Sequence, residues 1–194
     1  GSAHDGDAIS VFSDDLDFPG IGSATISFCK FLNIGQGIFT RESYVLVEDC
    51  YFVGKTGDND DVDLYEESTP TCLVRRNVFD SPAADDRIHP TKCSAIIMDN
   101  IIKGSGDSAI VLRDRCDPIV MNNIMANCPT SGIVVQNTCN ALIVNNTIVK
   151  CGPGIKFLDM GPDRWKFPYY LTHGSGSATV INCIIWDCTK SFDL

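Results

Sequence analysis

The sequence predicts an all-β chain wound as a parallel β-solenoid of about seven coils with one long loop insertion, and three observations lead there. First, independent markers share one period: Cys93, Cys116 and Cys139 lie 23 residues apart, as do Asn100, Asn123 and Asn146, and Cys128 and Cys151 keep the same step. Second, each unit is built from short runs rich in Val, Ile and Met, such as Ala95–Met98 and Ala109–Leu112, separated by Gly, Asn, Asp, Pro or Ser. Such runs read as strands, and no unit carries an apolar stripe at i, i+3, i+4, i+7 long enough for a helix. Third, about 23 residues of strand and turn cannot bury an apolar face alone, whereas stacked coils share one continuous core. Equivalent residues should then sit over one another at roughly 4.8 Å. A column of Asn would satisfy its amides along the stack, each donating to a carbonyl of the next coil, with Cys as a small buried substitute.

Taken in order, the chain opens with Asp5-Gly6-Asp7-Ala8, a strand over Ile9–Phe12 and an acidic turn at Ser13-Asp14-Asp15. Ala24–Phe28 and Gly37–Thr40 supply the next strands, followed by Tyr44–Val47 and Cys50-Tyr51-Phe52. The turn Asp58-Asn59-Asp60-Asp61 leads into Val62–Tyr65, and Cys72–Val74, Asn77-Val78-Phe79 and Asp85-Asp86-Arg87-Ile88 repeat that logic with longer turns. A regular block fills Ser94 to Ile155. Asn146 and Cys183 are 37 residues apart, and the excess over the period falls in residues 159–177, read as a loop on one flank of the solenoid. Residues 1–194 are expected to form a single domain, an excised piece of a longer protein whose uncapped coils would invite end-to-end self-association.

Asn145-Asn146-Thr147-Ile148 with Gly154-Ile155, Asn122-Asn123-Ile124 with Gly132-Ile133, and Asp99-Asn100-Ile101 with Ala109-Ile110 carry a family resemblance, and Ile181-Asn182-Cys183-Ile184-Ile185-Trp186 looks like a further copy. The pattern resembles the right-handed parallel β-helix repeats of the pectate-lyase-like superfamily. The resemblance implies a right-handed β-helix, an extracellular, periplasmic or cell-surface location, and a polysaccharide as partner. It leaves function open, because this fold hosts lyases, hydrolases, epimerases and non-catalytic adhesins. Two motifs of the catalytic relatives, a Gly-His-Gly with an Arg-Ile-Lys and the Asp-Pro-His of alginate epimerases, are missing; Asp117-Pro118-Ile119 only half matches the last.

A formal net charge of −10 argues against nucleic-acid and anionic-membrane partners, which reward a basic footprint, and no run approaches the 18 or so apolar residues of a membrane span. Ten cysteines without a C-x-x-C pair speak against a zinc site. Cys29, Cys50 and Cys183 take the Asn position, and Cys128, Cys151 and Cys188 lie five residues after it, so mostly reduced, stacked core thiols are expected, with some pairs within bridging distance.

Aligning the coils on Ile9, Ile38, Val62, Ile88, Ile110, Ile133 and Ile155 as inward residues sends the positions one and three places later to the solvent face. Arg41, Asp63, Tyr65, His89 and Arg113 then share one outer sheet and form the candidate catalytic set: His or Tyr as acid or base in β-elimination or epimerisation, Arg toward sugar carboxylates. Lys92 and Glu66, with Trp165 and Tyr169 of the inserted loop, are the candidate substrate-binding residues. Asp60, Asp61, Asp85 and Asp86 line the preceding turn, where calcium is the ion such oxygens would take, although none of these chemistries requires a cofactor. The same residues read equally as polar, solvated surface, making the chain a carbohydrate-interacting segment, a metal-dependent lyase-like enzyme or a passive spacer.

Overall fold

A computed structural model of the chain describes residues 7–12, 22–54, 60–66, 71–80, 85–159 and 174–194. Every regular element among them is a β-strand, and every strand pairing is parallel. The strands form three sheets of eight, seven and seven members, and the chain visits them in rotation. Sheet A includes Gln36–Arg41, Val62–Tyr65, Ile88–Thr91, Ser108–Arg113 and Ser131–Gln136; sheet B includes Ser43–Glu48, Leu73–Arg75 and Ile96–Met98; sheet C includes Tyr51–Val53, Val78–Asp80 and Ile101–Lys103. The chain is therefore a parallel β-solenoid, as its repeats predict. Lys30–Leu32, a strand of sheet C, has no counterpart in the sequence reading.

The inward column of sheet A has the expected register: Ile9 pairs with Ile38, Ile38 with Val62, Val62 with Ile88, Ile88 with Ile110, and so on to Ile155. In sheet C, Phe31, Phe52 and Phe79 stack with ring centroids 4.5 and 4.7 Å apart, and the column continues through Ile102, Met125 and Ile148. These residues join the Val and Ile columns of sheet B in one apolar core.

Corners between sheets are made by residues in the left-handed region. Before each strand of sheet C stands Phe28, Asp49, Arg76, Asp99, Asn122, Asn145 or Asn182, with φ between 50° and 58°. Asn and Asp tolerate this conformation best, which accounts for the Asp-Asn and Asn-Asn pairs of the repeat. The second residue of the corner builds the predicted ladder: the backbone N–H groups of Asn77, Asn100 and Asn123 donate to the side-chain Oδ1 of Asn100, Asn123 and Asn146, each at 3.0 Å. Their Nδ2 groups donate to Val47, Val74 and Ile97 carbonyls, in the preceding coil rather than the following one. Cys50 and Cys183 keep the donor half of this arrangement, pointing Sγ at the Ile26 and Ile143 carbonyls. Cys116 and Cys139 form a disulfide across one coil step, and the other eight cysteines are not disulfide-bonded.

The outer face of sheet A departs from expectation. Phe39, Thr91, Val111, Val134 and Gln136, all at positions assigned to solvent, are buried. Three of the five are apolar, which is the physical reason that alternation alone misassigns them: an outward position carrying Phe or Val gains by losing its water.

Replacing Asn123 by Ala should leave the Asn100 N–H buried without a partner and take the side-chain donor from the Ile97 carbonyl, at a cost of about 1–3 kcal/mol. Asn123→Cys, which retains a donor, should cost less. Urea unfolding checks this, and equal midpoints for the two variants would refute the ladder's role. Gly132 has no room for a Cβ, which would come 2.5 Å from Ile148 Cγ2 and 2.7 Å from the Gly154 carbonyl oxygen. Gly132→Ala should lower the midpoint by the equivalent of about 1–3 kcal/mol.

Candidate functional site

Immediately before the inward Ile or Val of sheet A runs the column Gly37, Asp61, Arg87, Ala109, Gly132 and Gly154. Four coils place Gly or Ala there, and two place a charge inside the solenoid. Arg87 is fully buried; its Nη1 donates to Asp61 Oδ2 at 2.5 Å and its Nε to the Gly104 carbonyl at 2.7 Å, while Nη2 is buried without a hydrogen-bond partner. Sequence reasoning assigned Asp61 to calcium and overlooked Arg87, although the alignment of inward residues already puts both in a Gly/Ala column. Asp61 is committed to the buried cation and belongs to neither cluster of metal-ligating groups found among the described residues.

The residues flanking that column converge on the outer side. His89 Nδ1 lies 2.9 Å from Asp60 Oδ2 and 4.0 Å from Asp86 Oδ2. Each carboxylate is anchored through its other oxygen: the Asp86 backbone N–H donates to Asp60 Oδ1 and the Ser108 N–H to Asp86 Oδ1. His89 Nε2 is buried with no hydrogen-bond partner. Burial disfavours the imidazolium, but the Asp60 charge and hydrogen bond outweigh it and hold the His89 pKa at about 9. Burial likewise pushes the Asp86 carboxyl up to about 7, the His89 charge only partly compensating. The site thus holds an imidazolium at neutral pH, a proton donor rather than an acceptor. Asp63, the register partner of His89, adds to the field that favours the cation, and Arg113 opposes it.

At the end of sheet A, three consecutive coils bring together Arg41, Tyr65, Glu66 and Lys92. Arg41 Nε donates to Glu66 Oε2 at 3.0 Å, and Lys92 Nζ lies 4.0 Å from the same carboxylate. Both cations lie over the Tyr65 ring, 5.8 and 6.0 Å from its centroid. A hydrogen bond with Glu66 raises the Glu42 pKa. Arg113 stands farther along the same column and donates through Nε to Gln136 Oε1 at 3.0 Å. Seven of the predicted residues therefore fall into two groups, His89 with Asp60 and Asp86, and Arg41 with Tyr65, Glu66 and Lys92, whereas Asp61 pairs with Arg87 and Arg113 with Gln136. Trp165 and Tyr169 lie outside the described residues.

Asp85, Asp86 and Asp107 gather carboxylate oxygens within 4.8 Å of one another, donors of the hard kind that calcium takes. Asp60, Asp86 and His89 converge as closely, but their nitrogen donor carries a proton at neutral pH and suits that ion poorly.

The titration has a definite sign. His89 has a folded pKa above its ordinary 6.5, so its stabilising contribution is complete below that pH and is lost as pH rises through about 9. The raised Asp86 pKa acts in the same direction at lower pH, its contribution fading between its ordinary value near 4 and about 7. Thermal unfolding midpoints should fall between pH 6.5 and 9.5, and His89→Gln should flatten that fall. Identical slopes for the two proteins would contradict the assignment, as would an imidazole titration of His89 by NMR centred near 6.5.

The model of the right-handed β-helix region family matches residues 17–163 and 88–193. No curated protein and no solved structure shows a significant match. The repeat ladder, the three parallel sheets and this match over most of the sequence agree: the chain belongs to the right-handed β-helix family.

Proposed function

We propose that this β-solenoid is a polysaccharide-interacting segment of an extracellular, periplasmic or cell-surface protein. The observation that carries the reading is the convergence of Arg41, Tyr65, Glu66 and Lys92 at the C-terminal ends of three successive strands of sheet A. Two cations flank one aromatic face and share one carboxylate, and the Arg41 side chain is 54% exposed. An acidic sugar could replace the Glu66 carboxylate between them, with a charge-assisted bond to the guanidinium and a sugar face against the ring. In a lyase-like reaction His89 would act as the acid, protonating a leaving oxygen, because Asp60 keeps its proton in place at neutral pH. Calcium, where it took part, would be held by Asp85, Asp86 and Asp107.

A second reading, a non-catalytic spacer, is favoured by a different observation. Arg41, Lys92 and Arg113 all have partners within the chain, and Thr91, Val111, Val134 and Gln136 close much of the same face.

A glycan array with and without calcium, run beside ultraviolet monitoring for unsaturated product on uronate polymers, separates the readings. Binding should appear and should drop about tenfold or more in Arg41→Ala and Lys92→Ala, the loss of one charge-assisted contact being about 1.5–3 kcal/mol. Binding without ultraviolet absorbance removes the lyase. Silence in both assays removes the polysaccharide and leaves the spacer.

A further inference from the structure

We propose that Cys128 and Cys151 are a site of thiol oxidation, forming a second disulfide between coils parallel to Cys116–Cys139. The two pairs share a separation of 23 residues, one turn of the solenoid. Cys116 and Cys139 show that such a step brings two Cα atoms to 4.8 Å, within the range that a disulfide spans. Cys128 and Cys151 stand in the same relation. They follow the paired residues Ala126 and Val149 by two positions, and the Asn127 N–H to Val149 carbonyl bond (3.1 Å) and the Gly152 N–H to Cys128 carbonyl bond (2.9 Å) carry the register past them. Both sulfurs face inward, each donating to the carbonyl two residues before it.

Cys188 stacks on Cys151 from the other side, so the column offers Cys151 two neighbours. Their surroundings differ. Cys128 is fully buried in the part of the core that receives Arg87, whose Nη2 has no partner. The adjacent Cys151 side chain, then the Ser105 hydroxyl and the Arg87 charge, lower the Cys128 pKa against the effect of burial. Cys151 is pushed up by that same pairing and by burial, and Cys188 by burial. Cys128, the sulfur closer to the buried Arg87 charge, is thus the one favoured for the first attack, with Cys151 following in the second step. Asn127 and Pro129 on either side of Cys128 are exposed, so the turn lies at the surface, and its sulfur must swing outward to meet a reagent.

With glutathione disulfide as oxidant, the Cys128 thiolate attacks one glutathione sulfur. That S–S bond breaks, and one glutathione thiolate leaves. Cys151 gives up its proton, attacks Cys128 Sγ in the mixed disulfide and expels the second glutathione. Two protein thiols lose two electrons in all, and one glutathione disulfide becomes two glutathione thiols.

The test counts thiols by intact mass after the folded protein is incubated in a glutathione redox buffer, acid-quenched, unfolded and alkylated. Eight alkylatable cysteines should become six, and combined trypsin and chymotrypsin cleavage should yield a Cys128–Cys151 cross-link. Cys151→Ser should stop at a glutathione adduct on Cys128, whereas Cys188→Ser should leave the cross-link forming. The wild-type count requires no variant to fold. If Cys128 and Cys151 both remain alkylatable, in the folded protein and after oxidative refolding, the proposal fails. It fails equally if Cys151 is found bridged to Cys188.

Discussion

Everything in this molecule depends on keeping each coil in register with the one below it. Parallel ladders tolerate no drift, because a slip of one residue turns each inward column out to solvent and each outward column into the core. The Asn ladder opposes such a slip. Asn100, Asn123 and Asn146 each tie the preceding coil twice, through Oδ1 to a backbone N–H and through Nδ2 to a carbonyl. A slipped coil would leave both polar partners buried and unpaired, a cost of about 1–3 kcal/mol for each group. Cys50 and Cys183, at the ends of the ladder, make only the donor half, where fewer coils depend on the register.

The fold was legible in the sequence because the physics that fixes it is periodic. Cys93, Cys116 and Cys139, or Asn100, Asn123 and Asn146, announce the step, and the column from Ile9 to Ile155 follows from it with no structure in hand. Lys30–Leu32 was overlooked although Cys29, in the Asn position, precedes it just as Cys50 precedes Tyr51–Val53. The burial of Val111 and Val134 was not legible. Alternation states which side of a sheet a residue faces but not whether that side is wet.

The candidate site was half legible for a related reason. Placing Arg41, Tyr65 and Arg113 in one column, and Asp63 beside His89, required only the register. The partnership of His89 with Asp60 required more, because the two are 29 residues apart and meet only through a step that exceeds the regular period. The same irregular stretch puts Asp60 and Asp86, 26 residues apart, on one backbone-anchored carboxylate pair. Nothing in composition distinguishes those aspartates from Asp85 at the surface. Only the hydrogen bonds from the Asp86 and Ser108 amides do.

Charge inside a solenoid is informative because the fold does not need it. The column that holds Gly37, Ala109, Gly132 and Gly154 packs well with no polar atom, and a buried ion pair rarely improves on apolar packing once desolvation is counted. Asp61 and Arg87 interrupt that column in the two coils that also supply Asp60, Asp86 and His89 to the outer side. Residues 60–61 and 86–87 thus alternate, one side chain outward and the next inward, so the carboxylate pair outside and the ion pair inside are fixed by the same short segments of backbone. A change that loosened the Arg87–Asp61 pair would shift the Asp60 and Asp86 carboxylates with it, and with them the field that keeps the proton on His89. The interior ion pair therefore supports the exterior cluster, and both fall in the coils where the repeat loses its regular period.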